Sequence, residues 1–268
     1  GNEGILIPSA LQSQGVFTKL AVGTYGITGT AKTDGLPAGV NPTDVKMMFG
    51  SNGILALVTC TGDAWILSSN GNLYSDGTVD SNANDIVWHR IKAGTAGNPE
   101  LTNVVAVRGT LNGAMALTAT GDLYTWGSNV RTGVGNAVNL SFATLMNKPV
   151  GTPKMIGMTG STTAGITQYV LMTDGNLYSL GENGYGQLGN GNTADSNNWY
   201  KVTATSRGAA LADNIVWISP QEHEGGNYPA INGLTTDGEL WAWGRNDGNM
   251  IGALSTGANS PLYMPASS

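Results

Sequence analysis

Charge is scarce in this 268-residue sequence: Asp, Glu, Lys and Arg together make up 11% of it, well under the usual quarter. The 12 Lys and Arg residues never cluster. Nucleic acid requires a basic stripe to neutralise its phosphates, so nucleic-acid binding is excluded as a function class. No apolar run approaches the ~18 residues of a membrane span, so direct membrane insertion is not expected. Cysteine occurs once, at Cys60, and no disulfide within the chain is available. Cys60 lies in the apolar run "LALVTCTGD" with no His or basic residue beside it, and reads as a buried, inert thiol rather than a nucleophile. Histidine occurs only at His89 and His223, and no Ser-His-Asp constellation can be assembled. No signal-peptide pattern opens the chain, and residue 1 is Gly rather than Met. This is expected of a processed product or a piece cut from a longer polypeptide. A helix period is missing as well: no window sustains an i, i+3, i+4, i+7 apolar pattern.

Glycine fills the space that charge leaves, at 40 residues. Each interior Gly costs a helix roughly 1 kcal/mol against Ala, whereas short apolar alternations are frequent, so the chain reads as all-β. With 40% apolar residues it has the material for a core, and a formal net charge of −6 and many Asn, Ser and Thr keep it in solution. One stretch recurs. "LTATGDLYTWGSNVRTGVGN" (117–136), "LMTDGNLYSLGENGYGQLGN" (171–190) and "LTTDGELWAWGRNDGNMIGA" (234–253) align, and "VTCTGDAWILSSNGNLYSDG" (58–77) is a worn copy. Their turn glycines, Gly62, Gly121, Gly175 and Gly238, lie 59, 54 and 63 residues apart. In each unit an apolar strand reaches a tight Asp/Gly turn that tolerates positive φ. A second strand with period-2 alternation then leaves it.

Two further strands flank each hairpin. Upstream are "VKMMFG" (45–50), "VVAVRG" (104–109), "KMIGMTG" (154–160) and "NIVWIS" (214–219). Downstream are "VWHRI" (87–91), "ATLMNKP" (143–149), "WYKV" (199–202) and "PLYMP" (261–265). Four antiparallel strands per unit describe one blade of a β-propeller, whose apolar flanks are covered by stacking blade against blade. The repeats span about 45–91, 103–149, 153–202 and 214–265 within a propeller region 45–268. Residues 1–44 supply strands that either help close the ring or lie outside it. Four clear repeats and about five blades in all are expected.

The pattern resembles the regulator-of-chromosome-condensation repeat family. The third unit matches through Gly175, Leu177, Tyr178, Gly181, Asn183, Gly186, Gln187, Leu188 and Gly189. The second and fourth keep Trp126, Gly127 and Asn129, and Trp243, Gly244 and Asn246. The resemblance implies a propeller. The chain lacks the histidine that eukaryotic members carry before the second strand, has fewer repeats than their seven, and shows no counterpart of the segment they use on a GTPase partner. Guanine-nucleotide exchange or chromatin regulation is therefore disfavoured. "VVAVRGT", "FATLMNKP", "KMIGMTG" and "WISPQEH" are similar to divergent copies in large exported surface proteins of gliding Bacteroidota, which act in adhesion or motility.

In a four-stranded meander the first and third connections emerge on one face. That rule gathers Arg131, Tyr185, Glu222, His223, Glu224 and Arg245 on a common loop face, the place where a rigid scaffold usually binds. Alternatively the glycines and asparagines fold these loops back against the blades. Trp126, Trp241 and Trp243 fall on the repeat and are expected as wedges between blades. "GENGYGQLGNG" is not a P-loop, since no Gly-Lys-Ser/Thr and no helix follow. Asp80, Asn82, Asn84 and Asp85 place oxygens as calcium loops do, but the sixth-place Gly and twelfth-place Glu are missing, and no cofactor is expected. "EHE" at 222–224 is poor zinc geometry, because neighbours on an extended chain point apart. The expected function is a non-enzymatic display module of a large exported bacterial surface protein. It would bind protein or surface glycan as part of a longer polypeptide or assembly, at the extracellular face. The alternatives are a propeller enzyme using the central funnel, of lyase or hydrolase type, and the disfavoured exchange factor.

Overall fold

The computed structural model describes residues 35–51, 53–68, 70–78, 87–161, 165–203, 214–222 and 229–245, and the backbone of 258–264. Sixteen strands form among them. They are β1 (Val45–Ser51), β2 (Ile54–Thr59), β3 (Ala64–Ser68) and β4 (His89–Arg90); β5 (Val104–Gly109), β6 (Gly113–Thr118), β7 (Leu123–Val130) and β8 (Val138–Leu145); β9 (Pro153–Ser161), β10 (Gly165–Met172), β11 (Leu177–Gly181) and β12 (Ser196–Lys201); and β13 (Ile215–Pro220), β14 (Ala230–Thr235), β15 (Leu240–Gly244) and β16 (Ala258–Met264). Each consecutive four make one antiparallel sheet in simple meander order. The described residues form an all-β propeller of four such blades. Residues 1–34, which carry most of the segment expected to contribute to a fifth blade, lie outside the described residues.

The hairpin turn between the second and third strands is built alike in every blade. Backbone bonds close it from Thr59 to Asp63, Thr118 to Asp122, Met172 to Asn176 and Thr235 to Glu239, at 2.8–3.0 Å. Gly62, Gly121, Gly175 and Gly238 take φ between +81° and +86°, a conformation that side chains with a Cβ resist. In three blades the threonine hydroxyl that opens the turn accepts from the backbone N–H four residues on, at 3.0–3.1 Å. The third blade has Met172 there. Asp174 takes over, accepting from the Asn176 N–H at 3.1 Å.

A second glycine, the last of "WG" or "LG", lies on the third strand against the backbone at the start of the second strand of its own blade. A Cβ on Gly127, Gly181 or Gly244 would be driven into the carbonyl oxygen of Asn112, Ile166 or Pro229. This close approach explains the glycine of the repeat more directly than its positive φ.

Three apolar clusters join the four blades in a row. Ile54, Val58 and Ile66 of the first blade meet Val107, Ala114 and Trp126 of the second. Met115, Leu117 and Leu123 then meet Ile156, Ile166 and Leu180. Tyr169, Leu171 and Leu177 meet Ile218, Ile231, Trp241 and Trp243. The three repeat tryptophans are thus the expected wedges. Two of them also bond the preceding blade's third connection: Trp126 Nε1 donates to Leu73 O at 2.9 Å and Trp243 Nε1 to Gln187 O at 3.1 Å. Among the described residues no apolar cluster joins the fourth blade to the first.

Two expectations need correction. Cys60 is exposed: it stands one residue past β2, in the turn, where the chain has left the sheet. The outer strands β8 and β12 begin earlier than the apolar pattern indicates, at Val138 and Ser196. An outermost strand faces solvent, so its polar residues resemble a loop.

The two glycine classes give a direct test. Gly238→Ala meets no atom within 4 Å and should cost about 1 kcal/mol, the strain of positive φ alone. Gly127→Ala meets rigid backbone and should cost about 3 kcal/mol or more. Equal small losses in urea unfolding would refute the close-approach account.

Candidate functional site

The first strands β1, β5, β9 and β13 are the inner ones. They touch one another across the blades through Ser51 Oγ to Gly109 O at 2.8 Å, Lys154 Nζ to Val216 O at 2.9 Å and Thr159 Oγ1 to Gln221 O at 2.8 Å. First and third connections of neighbouring blades meet on one face, where Asn70 Nδ2 donates to Leu111 O at 2.9 Å; the second blade's third connection also reaches β10, Arg131 N–H donating to Gln168 Oε1 at 2.9 Å. The hairpin turns and the links between blades share the opposite face, as in Ala119 N–H to Asn103 O at 2.7 Å and Thr236 N–H to Asn214 O at 2.9 Å.

Of the six residues gathered by sequence, Arg131, Tyr185, Glu222 and Arg245 are described. Tyr185 and Arg245 come together across the third and fourth blades. Arg245 Nη1 donates to the Tyr185 hydroxyl at 2.9 Å, and its guanidinium carbon lies 4.4 Å from the ring centroid, a cation–π arrangement. Arg131 is buried instead of displayed. Its Nε donates to Asn197 Oδ1 at 2.9 Å, and its Nη2 lies 3.3 Å from Glu182 Oε1 and 3.6 Å from Asp195 Oδ2. It is a strap between the second and third blades. Burial and the adjacent Asp195 push Glu182 upward, and Arg131 pulls it back. His223 and Glu224 lie outside the described residues, as do Asp80, Asn82, Asn84 and Asp85. Among the described residues no group of three or more His, Cys, Asp or Glu is placed to hold a metal ion.

Glu222 sits at the inner end of this face. Its Oε1 accepts from the Met158 N–H at 3.2 Å, and its Oε2 lies 3.9 Å from Arg108 Nε. Arg108 in turn places its guanidinium carbon 4.8 Å from the Phe49 ring centroid. One contribution from each blade therefore meets here: Phe49, Arg108, the Met158 amide and Glu222. Burial raises the Glu222 carboxyl to about 7, against the opposing pull of Arg108 and the Met158 amide. At 3.9 Å the ion pair is too loose to offset the desolvation. Arg108 and Phe49 were missed by sequence reasoning. The signal was there, since Arg108 is the lone charge in the strand "VVAVRG".

The glycine-rich third connection of the third blade is tied to itself. Asn183 Nδ2 donates to Asn190 Oδ1, Asn192 O and Ala194 O at 2.9–3.0 Å. Asn183 Oδ1 accepts from the Leu188 N–H at 2.8 Å, and Gln187 Oε1 from the Tyr185 N–H at 2.9 Å. These side chains fix the loop and thereby the position of Tyr185.

Comparison with known proteins agrees with this construction. Residues 174–204 match the sequence model described as "Regulator of chromosome condensation (RCC1) repeat". The chain is 27% identical over 221 residues to the mouse E3 ubiquitin-protein ligase HERC2, covering 79% of this chain and 4% of that protein. Against the human protein of that name it is 28% identical over 206 residues, 73% of this chain and 4% of the relative. The chain thus spans about 4% of the length of these relatives. Among solved structures, human WBSCR16 superposes with a TM-score of 0.64 at 18% identity, over 82% of this chain and 53% of that one. Yeast RCC1 (Prp20), solved bound to Kap60, superposes with 0.63 at 13% identity, over 84% and 50%. A further structure of Prp20p from Saccharomyces cerevisiae gives 0.60 at 15%, over 84% and 51%; its description concerns binding to Gsp1p and histones. The repeat family is supported by the sequence match, and the fold by the structures.

The Glu222 carboxyl yields a pH prediction. Its folded pKa of about 7 exceeds the ordinary Glu value near 4.3. Between these values the folded state keeps a proton that the unfolded chain has lost. Stability should therefore fall as pH rises from about 4.5 to 7, by up to about 3 kcal/mol, and level off above. Glu222→Gln should remove this slope in urea titrations across that range. An unchanged slope would contradict the assignment.

Proposed function

We propose that this propeller is a non-enzymatic module that binds another protein through the face carrying the first and third connections. The observation that carries the reading is the Tyr185–Arg245 pair. A cation stacked on an aromatic spans two blades there, above a loop fixed by Asn183. Tyrosine and arginine are the residue types that most often anchor protein interfaces, and a preorganised loop loses little entropy on binding. The polar groups of the neighbouring strap, Arg131 with Glu182 and Asp195, serve to hold the blades together. That is consistent with a binding scaffold and gives no support to a central-funnel enzyme.

The biological setting we propose is a larger exported bacterial surface protein acting in adhesion or motility. This rests on the likeness of its divergent repeats to such proteins and on a surface kept soluble by neutral polar residues. A second reading draws on the neighbours. Prp20p is described by its binding to Gsp1p and histones, so a small GTPase or a histone is an alternative partner class for the same face.

A photoreactive amino acid placed at Tyr185 and, separately, at Thr120 on the opposite face tests the assignment. Irradiation in the source cells should give protein adducts from position 185 and few from position 120. Adducts from position 120 alone, or none from 185, would defeat the reading. A purified small GTPase and purified core histones, offered to the same labelled chains, separate the two partner classes.

A further inference from the structure

At the inner end of the loop face a cation and a carboxyl are held close without bonding. Arg108 Nε lies 3.9 Å from Glu222 Oε2, beyond hydrogen-bond distance. Each side chain is fixed by other contacts. Arg108 Nη1 donates to Val107 O at 3.0 Å, and the guanidinium rests over the Phe49 ring. Glu222 Oε1 accepts from the Met158 N–H at 3.2 Å. The backbone just before Glu222 is pinned through both polar groups of Gln221, its N–H donating to Ala230 O and its O accepting from Thr159 Oγ1, each at 2.8 Å. Gly157 permits this approach, since a Cβ there would be driven into the Pro220 ring. The gap is thus set by the packing of the blades, and one oxygen atom fits in it at about 2.8 Å from each end.

We propose that this gap is an oxyanion subsite that takes one carboxylate group, with Arg108 and Glu222 as its two donors. Arg108 keeps its Nε–H and Nη2–H edge for the purpose, because neither atom makes a hydrogen bond among the described residues. That edge matches the two oxygens of a carboxylate. Glu222 donates while it holds its proton, which burial favours up to about pH 7. The pair then carries one positive charge and no negative one, so a monoanion balances it. Among the described residues the charge acting on Glu222 is that of Arg108. β1 and β9 face the pair with Phe49, Gly157 and the Met158 amide, none of which titrates. Carboxylate uptake is therefore linked to the Glu222 proton, strong below pH 7 and weak above it. Water fits the gap but leaves the Arg108 charge unbalanced, and a sulfate dianion brings more charge than the site can match. With Arg108 30% and Glu222 15% exposed, the opening admits a small group. Two sources supply one: a free monocarboxylate, or an acidic side chain of another protein, the latter resting on the protein-binding reading above.

Thermal unfolding with about 100 mM sodium acetate, against sodium chloride of equal ionic strength, tests the site near pH 6 and near pH 8.5. Salts also act on the whole surface, so the readout is the part of the Tm rise that Arg108→Gln removes. That part should be about 2 °C or more near pH 6 and absent near pH 8.5. In Glu222→Gln, whose amide donates at either pH, acetate should raise Tm at both. No rise near pH 6, a rise that survives Arg108→Gln, or an equal rise near pH 8.5 in the unaltered chain would overturn the proposal. So would an equal Arg108-dependent rise with sodium sulfate. Capped Gly-Glu-Gly and Gly-Gln-Gly peptides separate the sources. A Glu peptide that acts like acetate assigns an acidic side chain, and a response to acetate alone assigns a free carboxylate; both support the subsite. A Gln peptide as effective as the Glu peptide overturns it. Should Arg108→Gln fail to fold, the Arg108 Nε–H resonance of the unaltered chain decides. A saturable shift with acetate near pH 6 supports the subsite, and a resonance that stays in place rejects it.

Discussion

A sheet of four short strands has two flanks, and both must leave water before the sheet is stable. A blade of some fifty residues cannot cover either flank itself, so each depends on the blade beside it. Everything characteristic of this chain follows from that dependence. The apolar residues on one flank must match those on the next, so the same strand pattern recurs. The spacing between blades must be held at the loop face as well as in the core. Trp126 and Trp243 do both, filling the interface with their rings and bonding the preceding blade's loop with Nε1. On the fourth blade, beyond which no further blade is described, Trp217, Leu234 and Leu240 stand exposed.

Polar chemistry is arranged around this stacking. Arg131 and its carboxylates strap the second blade to the third, and Glu222 reaches from the fourth blade to the amide of Met158 on the third. These groups are costly to bury and each has a partner on another blade, so they report on blade placement. Arg245 over Tyr185 has the same cross-blade character, joining the third blade to the fourth.

The repeat was legible because its glycines have mechanical roles. Gly62, Gly121, Gly175 and Gly238 are required by the turn, and Gly127, Gly181 and Gly244 by the backbone that passes over them. The inner strand β5 could be bounded to the residue, and β1, β9 and β13 to within one residue at either end, since they are largely apolar between polar turns. Outer strands β8 and β12 could not: their exposed Asn and Ser residues look like loop until a neighbour strand pairs them. The site was less legible. Chain order alone placed Arg131 and Tyr185 on a common face, but it could not show that one is sealed between blades and the other only half-buried against Arg245. That depends on which loop closes over which, a long-range property. Cys60 shows the same limit at one residue's distance, since an apolar strand pattern ends without marking where its burial ends.

Hydrogen exchange of the backbone amides measures the central dependence most directly. Blades covered on both flanks should open least, so amides of β6 and β10 should exchange most slowly and those of β14 distinctly faster. Protection in β14 equal to that in β6 and β10, or four hairpins each exchanging on its own schedule whatever its neighbours, would contradict the account.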